Sequence, residues 1–171
     1  MPVILSLFTG GIEMTAKNRT CCFTGHRMLP ERELPVIASR LEREVEKLIN
    51  RGVIYFGAGG ALGFDTLAAR TVARLRGIHP EIKLILVLPC IDQTRGWPRE
   101  DIEDFGAIKA EADKVVYTSE EYFEGCMQKR NRHLVENSAF CVAYLTRGCG
   151  GTYSTVRYAR ELGLSVINIA L

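Results

Sequence analysis

The sequence predicts an α/β protein: a parallel sheet with helices on both faces, folded as a single domain. Three observations predict it. Six short β-rich runs alternate with helical patterns along the chain, the mark of βαβ units and a mostly parallel sheet. One run, Leu84 to Leu88, is continuously aliphatic, as a strand covered on both faces must be. The length of 171 residues, with 47% apolar and 25% charged content, is enough to bury one core without disulfide staples.

The elements follow in order. Residues 1–18 read as an N-terminal extension, because Val3 to Phe8 is apolar but too short to span a bilayer and a second methionine, Met14, precedes the first clear strand. The fold proper is expected over 19–171. Thr20 to Thr24 is a short apolar strand ending at Gly25. Leu34, Ile37, Leu41, Val45, Leu48 and Ile49 then form one helical stripe, stopped by Gly52. Val53 to Phe56 reads as the second strand, and Thr66 to Arg76 as a helix closed by Gly77. After the Leu84–Leu88 strand comes an irregular loop through Trp97 and Pro98. A helix over 99–112 and a strand at Lys114 to Tyr117 follow. The last units are a helix over 125–137, a strand at Phe140 to Leu145, a helix over 152–162 and a closing strand at Val166 to Ile169.

Composition narrows the function classes. Six cysteines form no C-x-x-C pair and the three histidines are scattered, so the spacing of a metal site is absent and no metal is expected. Cys21, Cys22 and Cys141 fall within apolar runs, which points to reduced thiols in a cytoplasmic protein. There is no basic n-region with a cleavage site and no membrane span. A formal net charge of +2 argues against nucleic acid as an obligate partner, though not against a local basic groove.

Right-handed crossovers would gather the strand-to-helix loops at one edge of such a sheet, where ligands bind. The segments predicted there are Thr24-Gly25-His26-Arg27, the glycine-rich run Gly57 to Asp65, and Arg147 to Thr152 with Gly148, Gly150 and Gly151. Glycines let backbone N–H groups approach a phosphate, and the helix that follows adds free donors and a partial positive charge. Two such turns, contributing Gly59, Gly60, Gly150, Gly151 and Thr152, read as a cradle for a phosphorylated ligand, the alternative being that the glycines only serve tight turns. Neither is a Walker A motif or a G-x-G-x-x-G fingerprint.

Arg130 shares a helical stripe with Met127 and Leu134, so it faces inward and needs an anion: a ligand phosphate, or a carboxylate such as Asp65. Asp65 reads either as the cap of the helix it precedes or as an acceptor for a ribose hydroxyl or base. His26 and Arg27 are candidate cleft residues, Arg27 for phosphate. Trp97 either stacks on a base or caps the core.

At these residues the chain resembles the YpsA-like branch of the SLOG superfamily. The resemblance rests on Thr24-Gly25-His26-Arg27, Gly59-Gly60-Ala61-Leu62-Gly63-Phe64-Asp65, Arg130-Asn131-Arg132 and Gly150-Gly151-Thr152. It covers about 19–171. It implies a Rossmann-like fold that binds a nucleotide-derived ligand, such as ADP-ribose or an NAD-like molecule, as a sensor or binding module. No catalytic residue and no resident cofactor are implied, and relatives often form homodimers.

The LOG phosphoribohydrolases of the same superfamily offer an enzymatic alternative, hydrolysis of an N-glycosidic bond. Met127, Arg130 and Gly151-Thr152 match their motifs, but Thr155 stands where their glutamate would, and a threonine cannot stabilise positive charge on a ribose as a carboxylate does. A third reading is single-stranded DNA binding, because Arg130-Asn131-Arg132 is similar to a motif of the DNA-processing protein A family.

Overall fold

Six parallel strands in the order β4-β3-β2-β1-β5-β6 make one sheet. The computed structural model describes residues 15–170. Of the expected extension, residues 1–14 lie outside the described residues, and Lys17–Arg19 form a short 3₁₀ turn leading into β1.

The strands are β1 (Thr20–Gly25), β2 (Tyr55–Ala58), β3 (Lys83–Leu88), β4 (Lys114–Tyr117), β5 (Phe140–Tyr144) and β6 (Ser165–Asn168). Between them run α1 (Leu34–Asn50), α2 (Phe64–Leu75), α3 (Arg99–Glu111), α4 (Cys126–Glu136) and α5 (Gly151–Glu161). The expected α/β, Rossmann-like architecture is what the chain forms.

Strand alternation divides the interior into two cores. On one face Cys21, Phe23, Phe56 and Leu86 pack against Leu41 and Val45 of α1, Ala68 and Val72 of α2 and Ile108 of α3. On the other, Cys22, Val87 and Cys141 meet Leu134 and Val135 of α4 and Ala159 of α5. The aliphatic stripe read from 34 to 49 is the buried face of α1.

Two boundaries differ from the sequence reading. The second strand is Tyr55–Ala58 and not Val53–Phe56. Val53 N–H is still held by Leu48 at the end of α1, while Gly57 and Ala58 pair in parallel with Ile85 and Leu86. The glycine run therefore starts inside the sheet. α2 begins at Phe64, two residues earlier than Thr66, which puts Asp65 in its first turn.

The chain leaves β4 at one edge of the sheet and returns through α4 to place β5 beside β1. The order reverses there, so the carboxyl ends of β1 and β5 flank the topological switch point, the place where open α/β sheets bind ligands.

Candidate functional site

The β1 loop is pinned on two sides. Gly63 has φ +78°, and a Cβ there would run into the Arg27 carbonyl group, so the start of α2 touches the β1 loop backbone to backbone. Phe64 N–H donates to the His26 carbonyl at 3.1 Å. Across the switch point, Thr146 N–H donates to His26 Nε2 at 3.0 Å. That bond requires an unprotonated Nε2, so the imidazole is neutral with its proton on Nδ1. Burial, and then the nearby Arg147 charge, lower the His26 pKa and favour this state.

The glycine run turns mostly inward. Gly57 lies against Leu134 of α4. Gly59 sits where a Cβ would collide with both the Arg130 guanidinium and the Asp65 carboxylate. Arg130 is 4% exposed and donates from Nη1 to the Gly59 carbonyl, while its Nε donates to Asn131 Oδ1 at 2.7 Å. Asp65 Oδ2 accepts from Ala61 N–H at 3.2 Å. The Gly60 carbonyl accepts from Gln93 Nε2 at 2.8 Å.

Asp65 is therefore not the cap of α2. That position belongs to Gly63, and Asp65 reaches back from the first turn to hold the loop. Burial raises its pKa, opposed first by the Arg130 charge and then by the Ala61 N–H. Arg130 and Asp65 form no direct ion pair among the described residues; the two charges lie on either side of the Gly59 backbone, whose carbonyl accepts from Arg130.

The turn before α5 is built differently. Gly148, Gly150 and Gly151 have open space where a side chain would be, and Gly150 has φ +92°. Thr155 Oγ1 is used within the helix, donating to the Gly151 carbonyl at 2.9 Å. Arg147, on the same loop, and Arg27, on the β1 loop, are exposed and form no ion pair among the described residues.

These segments border one cleft of about 1080 Å³. Thr24, Gly25, His26 and Arg27 line it from β1, Asp65 from α2, Arg130 from α4, and Gly150, Gly151 and Thr152 from α5. Gly59 and Gly60 lie behind this lining, as struts of the loop and not as its surface. Trp97 is not part of the cleft. It packs edge-on against Phe105 of α3 with ring centroids 5.7 Å apart, the core-capping alternative.

Arg147 and Arg132, which the sequence motifs contain without a role of their own, also line the cleft, as do Arg157, Tyr153 and Tyr158, which the sequence did not single out. Arg147 had a legible signal, since it stands directly after the β5 run at the same edge. Arg132 stood in the Arg130-Asn131-Arg132 motif, whereas the α5 residues had only helical spacing, which does not say which groove a helix face borders.

Comparison with known proteins fits this geometry. A family model described as the YspA SLOG family, named YpsA, matches residues 23–154. The chain belongs to that family. Among its relatives, the UPF0398 protein BH1768 of Halalkalibacterium halodurans is 31% identical over 109 residues, covering 63% of this chain and 58% of that protein. The uncharacterized SPbeta prophage-derived protein YoqJ of Bacillus subtilis is 28% identical over 138 residues, 73% of this chain and 81% of that one. This YspA SLOG chain thus spans a little over half the length of the first of these relatives.

Among solved structures, DNA processing protein A of Helicobacter pylori, described for its single-stranded DNA binding mode, superposes with a TM-score of 0.61 at 19% identity. It covers 88% of this chain and 64% of that one. DNA processing protein A of Streptococcus pneumoniae gives 0.64 at 20% identity, over 88% of this chain and 50% of that one. The structural genomics target TM1055 gives 0.54 at 22% identity, over 86% and 72%. These likenesses establish a shared fold.

Proposed function

We propose that the cleft binds a phosphorylated, nucleotide-derived small molecule, with its phosphate on the Gly150-Gly151-Thr152 turn and its sugar facing Asp65. One observation carries this reading: the N-terminus of α5 is open, and two unpaired guanidiniums, Arg27 and Arg147, border the same cleft. Free N–H donors and a partial positive charge at a helix start favour an anion, and arginine forks match phosphate. The other helix start at this edge, that of α2, already holds a carboxylate of the protein itself, Asp65. The two glycine-rich turns then divide the labour, one receiving the anion and the other presenting an acceptor for hydroxyl groups. Membership of the YspA SLOG family supports the same ligand class.

The test is calorimetric titration with AMP, ADP-ribose, NAD and cyclic nucleotides against the wild type and an Arg27→Ala, Arg147→Ala double variant. Saturable binding, weakened at least tenfold in the double variant, is the expected result. Silence across the panel overturns the reading.

A second reading, single-stranded DNA binding, is favoured by the local charge. Among the described residues five arginines line the cleft against two carboxylates, Asp65 and Glu161, although the whole chain carries only +2. The solved neighbours from the DNA processing proteins point the same way. Hydrolysis of a glycosidic bond has less support, because Thr155 is engaged within α5 and Glu161 is paired with Arg157. Only Asp65 would remain to serve as the acid, and chromatography of AMP incubated with the protein would reveal free base if it does.

A further inference from the structure

The cleft does not stop at the edge of the sheet. It is also lined by Arg132 of α4 and by Tyr153 and Tyr158 of α5. In this wing the Arg132 guanidinium lies over the Tyr158 ring, its Cζ 4.7 Å from the centroid. The Tyr158 hydroxyl donates to Glu136 at 2.7 Å, and the ring packs against the apolar cluster of Leu134 and Ala159. The ring is thus held at its tip and along one side. Arg157, the other cation of the wing, is bound to Glu161 at 3.0 Å.

The two halves of the cleft therefore differ in kind. The mouth offers unpaired guanidiniums and a helix start, which suit a phosphate. The wing offers a flat π–guanidinium pair, with the Arg132 charge lying over the Tyr158 ring and the Tyr158 hydroxyl already bound to Glu136, which suits a planar group that can stack. From Gly151 to Tyr158, seven residues of α5 rise about 10 Å, comparable with the reach from the phosphate to the far edge of the base in an extended nucleotide.

Resting on the reading of the mouth as a phosphate site, we infer that the α4–α5 wing is the subsite for the ligand's planar heterocycle, which stacks on the Arg132–Tyr158 pair. The ligand class narrows accordingly to a base-bearing nucleotide, as opposed to a sugar phosphate.

The test compares AMP with ribose 5-phosphate by calorimetry on the whole chain. The wild type is expected to hold AMP about tenfold or more tightly than ribose 5-phosphate, the scale of one base–aromatic stack. Arg132→Ala and Tyr158→Leu should erase that difference while leaving ribose 5-phosphate binding unchanged, and Tyr158→Phe, which keeps the ring, should preserve it. Should Tyr158→Leu fail to fold, the exposed Arg132 carries the test alone. Equal affinity of the wild type for both ligands, or variants that weaken both alike, overturns the inference and leaves the phosphate site standing. Absence of binding by either ligand overturns the phosphate reading, and this subsite with it.

Discussion

A guanidinium that is 4% exposed is tolerable only where its surroundings replace the water it has lost, and at Arg130 the replacement is the Gly59 carbonyl, Asn131 and the charge of Asp65. Arg130→Ala removes the cation and leaves a buried carboxylate behind. It is expected to destabilise the fold by about 3 kcal/mol in urea denaturation, with Arg130→Lys losing less. An alanine variant as stable as the wild type would show that Arg130 serves a ligand alone. Its inward direction was legible from the stripe it shares with Met127 and Leu134. Its main partner was not, because a backbone carbonyl 71 positions away leaves no trace in side-chain pattern. His26 makes a second argument at this scale. Its pKa is lowered from the ordinary value near 6.5, so the unfolded chain binds the proton more readily than the folded one. The contribution of the neutral imidazole is full above pH 6.5 and is lost as pH falls below it through the lower, folded-state pKa. Thermal denaturation followed downward from pH 7.5 should show this loss, and His26→Gln should flatten it. An unchanged pH profile in the variant would assign the acid sensitivity to other groups.

Two helix starts with similar glycine-rich sequences turn out to be opposite structures. Before α2, Gly59 and Gly63 are glycines because protein atoms fill the space of a side chain; before α5, Gly150 and Gly151 face open space. Gly63→Ala must therefore meet both a φ of +78° and the Arg27 carbonyl. Backbone strain and overlap together should cost about 3 kcal/mol. Gly150→Ala meets only the φ of +92°, and about 1 kcal/mol is expected. Urea denaturation of both variants checks the ordering, and equal losses would mean that the two turns are alike after all. The sequence could not separate them, since composition reports that a residue lacks a side chain but not what would occupy its place. The same limit explains β2. Gly57 and Ala58 look like loop residues by type, yet the sheet accepts them because Leu134 of α4 packs directly over Gly57. Elements with a strong period, such as the stripe of α1 or the aliphatic run of β3, were legible because burial repeats along them.

At the scale of the whole molecule, the parallel order and the single loop-bearing edge were readable from the alternation of runs, but the position of the switch point was not, because it depends on β5 choosing β1 as its neighbour. That choice brings Arg27, Arg147 and the start of α5 to one cleft, and it makes net charge a poor guide to partners. The value of +2 averages the arginines of the cleft with distant acidic residues on α1 and α3, among them Glu42 and Glu103, which are paired there with Arg74 and Arg99. Screening makes the local balance, over about 8–10 Å, the one a phosphate experiences. Small-ligand and single-stranded DNA binding then separate by salt dependence. An oligonucleotide held by several cleft guanidiniums should lose affinity linearly in log–log form, with a slope of about −0.7 for each phosphate contacted on a single strand. A nucleotide, with one or two phosphates, should show a much shallower dependence. Fluorescence anisotropy of labelled oligo-dT at 50 to 300 mM salt, about the range over which such effects are large, gives the slope directly. Replacing Arg27 and Arg147 together with alanine should reduce its magnitude by about 1.4, at 0.7 for each phosphate contact removed, if DNA lies in this cleft. A steep slope that the double variant leaves untouched would place DNA elsewhere on the surface and return the cleft to the small ligand.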